Sequence, residues 1–174
     1  MRNDLAQGAI LAGCSHLLMM DSDQRYPPDC IEKLVDRMDN EDMMVLAAPV
    51  HRRYPPFDPI LFRGEVNKYK HVPDKESYSG DVIPVDAIGC GCIMYDMKIF
   101  EIVERPWYQI TVSDEGKTVG EDIYFCSNIR KKDIGIFVDT SIKIQHLTTY
   151  EVDRMTYELF KKLKGVPWQE SQNQ

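Results

Sequence analysis

His16-Leu17-Leu18-Met19-Met20-Asp21-Ser22-Asp23 is an apolar run that ends abruptly in two carboxylates one residue apart. The run has the length and character of a buried strand. Residues i and i+2 of a strand share a face, so Asp21 and Asp23 are expected to point into one pocket where the strand gives out. Two carboxylates held together repel each other and desolvate badly, and a bound cation relieves both costs. Oxygen ligands suit a hard ion such as Mg²⁺ or Mn²⁺, with the remaining positions left for water or a diphosphate. Taken alone, Asp-Ser-Asp reads first as an ordinary polar turn after a strand; its surroundings change that reading.

Upstream, residues 3–13 read as a helix with Leu5, Ala9 and Ala12 on one face and Gly13 as its stop. Downstream, Pro27-Pro28-Asp29 leads into Ile31, Leu34, Val35 and Met38 at the spacing of an amphipathic helix, with Asp29 as N-cap and Glu32 as its capping-box partner. Residues 43–50 are almost continuously apolar, the signature of a strand buried on both faces. Strand, helix and strand in this order make a βαβ unit with a right-handed crossover and a parallel sheet. Ligands of such sheets sit beyond the carboxyl ends of the strands, which is where Asp21 and Asp23 lie.

From 51 to about 80 the chain turns irregular, with Pro55, Pro56, Pro59 and Pro73, and a lid or acceptor-facing loop is expected there. Arg52 and Arg53 in it meet either a phosphate or only water. Residues 82–87 read as a strand leading into Gly89-Cys90-Gly91, where missing side chains let a backbone pass close to a ligand or a neighbouring strand. A short helix from Asp96 to Val103 is broken by Pro106, and Trp107-Tyr108 is either a platform for a sugar ring or a half-buried aromatic pair. Gly120-Glu121-Asp122 opens a helix with Ile123, Cys126 and Ile129 inward. Strands at 134–138 and 142–146 follow, then a last helix striped by Val152, Met155, Leu159, Phe160 and Leu163 and ended by Gly165 and Pro167.

A chain of 174 residues, 43% of them hydrophobic, is enough for one domain with a real core, here 1–168 with a frayed tail at 169–174. The formal charge of −7 argues against a duplex nucleic-acid partner, which needs a basic face, but leaves an anionic small substrate open. No apolar run reaches the length of a membrane span and Asp4 interrupts any would-be signal core, so the chain reads as cytoplasmic. Five scattered cysteines without paired C-x-x-C spacing indicate neither a disulfide framework nor a structural zinc.

The stretches 17–23, Val85-Asp86-Ala87-Ile88-Gly89-Cys90-Gly91, Gly120-Glu121-Asp122-Ile123-Tyr124-Phe125-Cys126 and Val138-Asp139-Thr140-Ser141-Ile142-Lys143-Ile144-Gln145-His146-Leu147 stand in an order that resembles the family 2 glycosyltransferases of GT-A fold. The resemblance implies a partial GT-A fold of class α/β, a mixed, mostly parallel sheet flanked by helices. It implies that Asp21 and Asp23 hold Mn²⁺ or Mg²⁺ against the diphosphate of a nucleotide sugar, that His146 completes the metal site, and that Asp122 is the general base with Glu121 beside it. Arg2, Gly89, Gly91 and Trp107 fall with the two aspartates on the donor side. The implied activity is inverting, metal-dependent transfer of a sugar to the hydroxyl of a glycan or other acceptor.

The match departs from the family at its start, because the strand-helix-strand half that forms the nucleoside pocket has no counterpart before Met1. A sheet without those strands exposes a long apolar edge. Three explanations stand side by side: a piece of a longer gene, an edge covered by a second copy or another chain, or a reduced protein that no longer transfers sugar. A non-catalytic sugar- or nucleotide-binding remnant is the alternative function.

Overall fold

Val45, Leu46 and Ala47 are wholly buried, as an uninterrupted apolar run requires, and the main sheet is built around them. The computed structural model describes residues 1–65, 68–113, 115–149 and 153–164. The elements in order are α1 (Arg2–Leu11), β1 (His16–Met20), β2 (Gln24–Arg25), α2 (Cys30–Glu41), β3 (Val45–Ala47), β4 (Leu61–Arg63), β5 (Lys70–His71), α3 (Asp74–Ser77) and β6 (Val82–Val85). They continue through β7 (Ala87–Ile88), β8 (Cys92–Asp96), α4 (Ile99–Ile102), β9 (Thr111–Val112), β10 (Thr118–Val119), α5 (Glu121–Arg130), β11 (Ile136–Asp139), β12 (Gln145–His146) and α6 (Arg154–Lys164).

The main sheet has the order β1-β8-β3-β11-β6. Side chains alternate across it, so consecutive residues feed two separate cores. Val45, Ala47, Ile93 and Tyr95 face one core with Phe125, Cys126 and Ile129 of α5, and Ala6 of α1 joins them. Leu46, Cys92 and Met94 face the other with Cys30, Leu34 and Met38 of α2. The fold is therefore α/β, a mixed sheet flanked by helices.

The βαβ unit from β1 through α2 to β3 is present, but its two strands are not neighbours. β8 lies between them, antiparallel to both, and only β3 with β11 forms a parallel pair in the main sheet. The expected mostly parallel pairing is corrected to this extent, because β8 enters from far along the chain and takes the position between the two.

Local readings shift in similar ways. On α1 the buried residue is Ala6, with Ala9 partly buried, and Leu5 points outward at 53% exposure: the small side chains let the helix lie close to the sheet. On α2 the inward face is Cys30, Leu34 and Met38, Ile31 is exposed, and Asp29 makes no cap with its side chain but pairs with Lys33 Nζ at 2.8 Å. The expected irregular 51–80 segment instead contributes β4 and β5 to a small sheet in which β4 lies between β5 and β7; strands of two or three residues are too short to show a period in sequence. Met155 and Leu159 of α6, expected on an inward stripe, are exposed. Val152, Gly165, Pro167 and the 169–174 tail lie outside the described residues, as do the side chains of Phe160 and Leu163. No helix among the described residues is long and apolar enough to cross a membrane.

Candidate functional site

β1 ends at Met20, and Asp21 is already held by long-range contacts. Its N–H donates to Gly91 O at 3.1 Å, and the Tyr26 hydroxyl shares its hydrogen between Asp21 O (2.7 Å) and Gly91 O (2.8 Å). A Cβ on Gly91 would sit 2.3 Å from Gln24 Nε2 and 3.0 Å from Val50 Cγ1, so any larger residue here must push the buried Gln24 side chain aside. Of the two expectations for Gly91, a neighbouring segment is what the structure supplies. Gly89 likewise meets Ile60 and Val50 side chains.

The two aspartates part company after the strand. Ser22 and Asp23 lie in a turn, so strand alternation no longer applies to them. Asp21 Oδ1 faces Arg2 Nη2 at 3.4 Å; Arg2 Nε reaches Glu121 Oε1 at 3.3 Å and its Nη1 donates to Cys90 O at 3.4 Å. One guanidinium from α1 thus ties the end of β1, the glycine segment and the start of α5. Asp23 belongs to a second cluster: its Oδ2 accepts from Arg53 and lies 3.3 Å from His146 Nε2.

His146 is carried there by the pairing of β12 with β2, and Leu147 N–H donates to Asp23 O at 2.8 Å. Its Nδ1 sits 2.7 Å from His51 O, and because a carbonyl only accepts, Nδ1 carries the proton. In the neutral ring Nε2 then presents a lone pair. That nitrogen is buried with no hydrogen-bond partner, close to Asp23 Oδ2 but off the line a hydrogen bond needs. A ring whose second nitrogen is anchored to a backbone carbonyl is the usual arrangement of a metal-binding histidine. The Asp23 carboxylate already draws one cation, the Arg53 guanidinium, to this spot. Among the described residues no group of three or more His, Cys, Asp or Glu converges as a metal cage. The protein offers Asp23 and His146 as a pair, with Asp21 nearby in sequence but engaged by Arg2.

Asp122 sits in the first turn of α5 and accepts from Ile123 N–H at 2.8 Å. Burial pushes its carboxyl up and the neighbouring Glu121 charge adds to this, against the opposing pull of the Ile123 N–H and Arg2. Glu121 is drawn into the Arg2 cluster instead. Trp107 is corrected outright. It is 1% exposed, packs edge-on against Phe100, and donates Nε1–H to Val103 O at 2.9 Å, so it has no free face for a sugar. Tyr26 and His51, which hold the Asp21 turn and orient His146, carried no sequence signal, since one acts through a hydroxyl contact and the other through its backbone.

The sequence pattern described as Glycosyl transferase family 2 matches residues 4–103, more than half of the chain. The chain belongs to glycosyl transferase family 2. The matched span includes Asp21, Asp23, Gly89 and Gly91, whereas Glu121, Asp122 and His146 lie beyond it. Among solved structures this family 2 chain is similar to the crystal structure of A197 from STIV, with a TM-score of 0.59 at 17% identity over 85% of this chain and 66% of that one. That likeness concerns the fold, and the chain spans 66% of the length of A197. No curated protein matches the chain. The mixed sheet flanked by helices agrees with the GT-A fold.

Proposed function

We propose that this family 2 protein is an inverting, divalent-metal-dependent glycosyltransferase that moves a sugar from a nucleotide-diphosphate donor to an acceptor hydroxyl. The observation that carries the metal half is the convergence of Asp23 Oδ2 and the unpartnered His146 Nε2, 3.3 Å apart, with the other ring nitrogen anchored to His51 O. An oxygen and a nitrogen donor with water and diphosphate oxygens around them suit Mn²⁺ or Mg²⁺. Bound there, the ion would neutralise the charge that collects on the departing diphosphate.

The residues of the chain supply the rest. Asp21 and Glu121 are both paired with Arg2, whereas Asp122 has no ion-pair partner among the described residues, leaving it the carboxylate available for proton transfer. Its raised pKa brings it closer to the range in which a general base works at neutral pH. As the anomeric carbon loses the diphosphate oxygen with its electron pair, the acceptor oxygen bonds to the opposite face and gives its proton to Asp122. A single displacement without a carboxylate nucleophile inverts the anomeric centre.

Asp122→Asn is expected to abolish turnover of UDP- or GDP-sugars with Mn²⁺ while calorimetry shows donor binding intact; retained turnover sinks the assignment. Binding of free glycan without metal, and no turnover by the unaltered chain, favours a non-catalytic binding module instead.

A further inference from the structure

Asp23 Oδ2 accepts from the Arg53 guanidinium and lies 3.3 Å from the unpartnered His146 Nε2, the nitrogen that would share a divalent ion with it. A carboxylate oxygen that coordinates a divalent ion beside His146 cannot keep a guanidinium on the same lone pairs, and the two cations repel. The backbone around Arg53 is not what would give way. His51 bridges Pro59, Arg52 N–H donates to Asp58 O at 3.0 Å, Arg52 Nε pairs with Asp58 Oδ1 at 3.2 Å, and Ile60 N–H donates to Val50 O at 2.8 Å. These contacts pin the base of the loop and leave the Arg53 side chain as the movable part. A cavity of about 340 Å³ lined by Arg53, Tyr54, Leu147, Thr148 and Thr149 lies beside it and gives the guanidinium room to turn.

We infer that Arg53 is an exchangeable counter-ion of the metal site: it covers Asp23 when no nucleotide is present and passes to the donor diphosphate when the divalent ion takes its place. The inference rests on the metal-diphosphate reading above and adds a coupling to it. An ion arriving alone must displace Arg53 into water, whereas an ion arriving with a diphosphate brings oxygens that the planar guanidinium fork binds in pairs. Metal and nucleotide therefore strengthen each other's binding, and by linkage the factor is the same in both directions. Arg53 is a positioning residue in this role, acting through Asp23 and the phosphates rather than on the reacting carbon.

The test is Mn²⁺ binding followed by the electron paramagnetic resonance signal of the free ion, for Mn²⁺ alone and with UDP or GDP. Arg53→Met is expected to bind Mn²⁺ alone about tenfold more tightly than the unaltered chain, within the range of coupling between linked sites, and to lose most of the nucleotide enhancement. Arg53→Lys, which keeps the charge, is expected to stay near the unaltered affinity for Mn²⁺ alone, and Asp23→Asn to lose the ion in every background. An affinity for Mn²⁺ alone that Arg53→Met leaves unchanged overturns the inference and leaves the metal site standing. No bound Mn²⁺ in any variant, with UDP and GDP included, overturns the metal reading itself.

Discussion

Asp122 is a carboxylate whose surroundings oppose its charge: burial raises its pKa, and Glu121 next to it raises it further. The sign follows directly. A group that must be ionised to act as base and whose pKa is raised loses function as pH falls through that raised value, so the acid limb of kcat/KM is expected above the ordinary aspartate value of about 3.9. Glu121→Gln removes the adjacent negative charge and frees Arg2 to act on Asp122, and both changes lower its pKa. The acid limb is therefore expected to move to lower pH in Glu121→Gln, and a limb that stays put or moves up speaks against Asp122 as the titrating base. Arg2 belongs to the same scale. Its contacts to Asp21, Glu121 and Cys90 O tie up two of the carboxylates around the start of α5, and Asp122 beside them has no ion-pair partner among the described residues.

At the scale of the element, α2 shows a correct stripe that is rotated at its start. Leu34, Val35 and Met38 pack on the sheet as their helical spacing implies, but at the N-terminal end Cys30 rather than Ile31 turns inward. Leu34 is fully buried and Ile31 is exposed. Leu34→Ala is expected to cost about 2–5 kcal/mol by leaving a cavity, while Ile31→Ala stays within about 0.5 kcal/mol, as surface substitutions do. Urea denaturation of the two variants separates the faces; equal losses would mean that the sequence stripe, not the rotated one, meets the core. The neighbouring β2 and β12 illustrate the opposite case. Each has two residues; β12 is the end of the strand read at 142–146 whereas β2 has no detectable pattern, and their pairing brings His146 to Asp23.

At the scale of the whole molecule, β1 pairs with β8 on one side and, among the described residues, has no strand on the other. Met20 of that strand and Leu5 and Leu11 of α1 are exposed. An uncovered edge beside apolar surface favours association with a further strand, and the chain is expected to run larger than a monomer by light scattering; a stable monomer at high concentration counts against coverage of this edge by a second copy. Local chemistry in the sequence determined the kinds of element, the carboxylate turn after β1, the acidic start of α5 and the family, because periodicity, turn residues and helix-end charges act within a few positions of one another. The tertiary structure alone decided the insertion of β8 between β1 and β3, the separation of Asp21 from Asp23, the burial of Trp107, and the reach of Arg2 to Glu121 across 119 positions. Each of these depends on which distant segments pack together, and the free energy of that packing is set by shape and by the pairing of buried polar groups, which no local pattern of residues encodes.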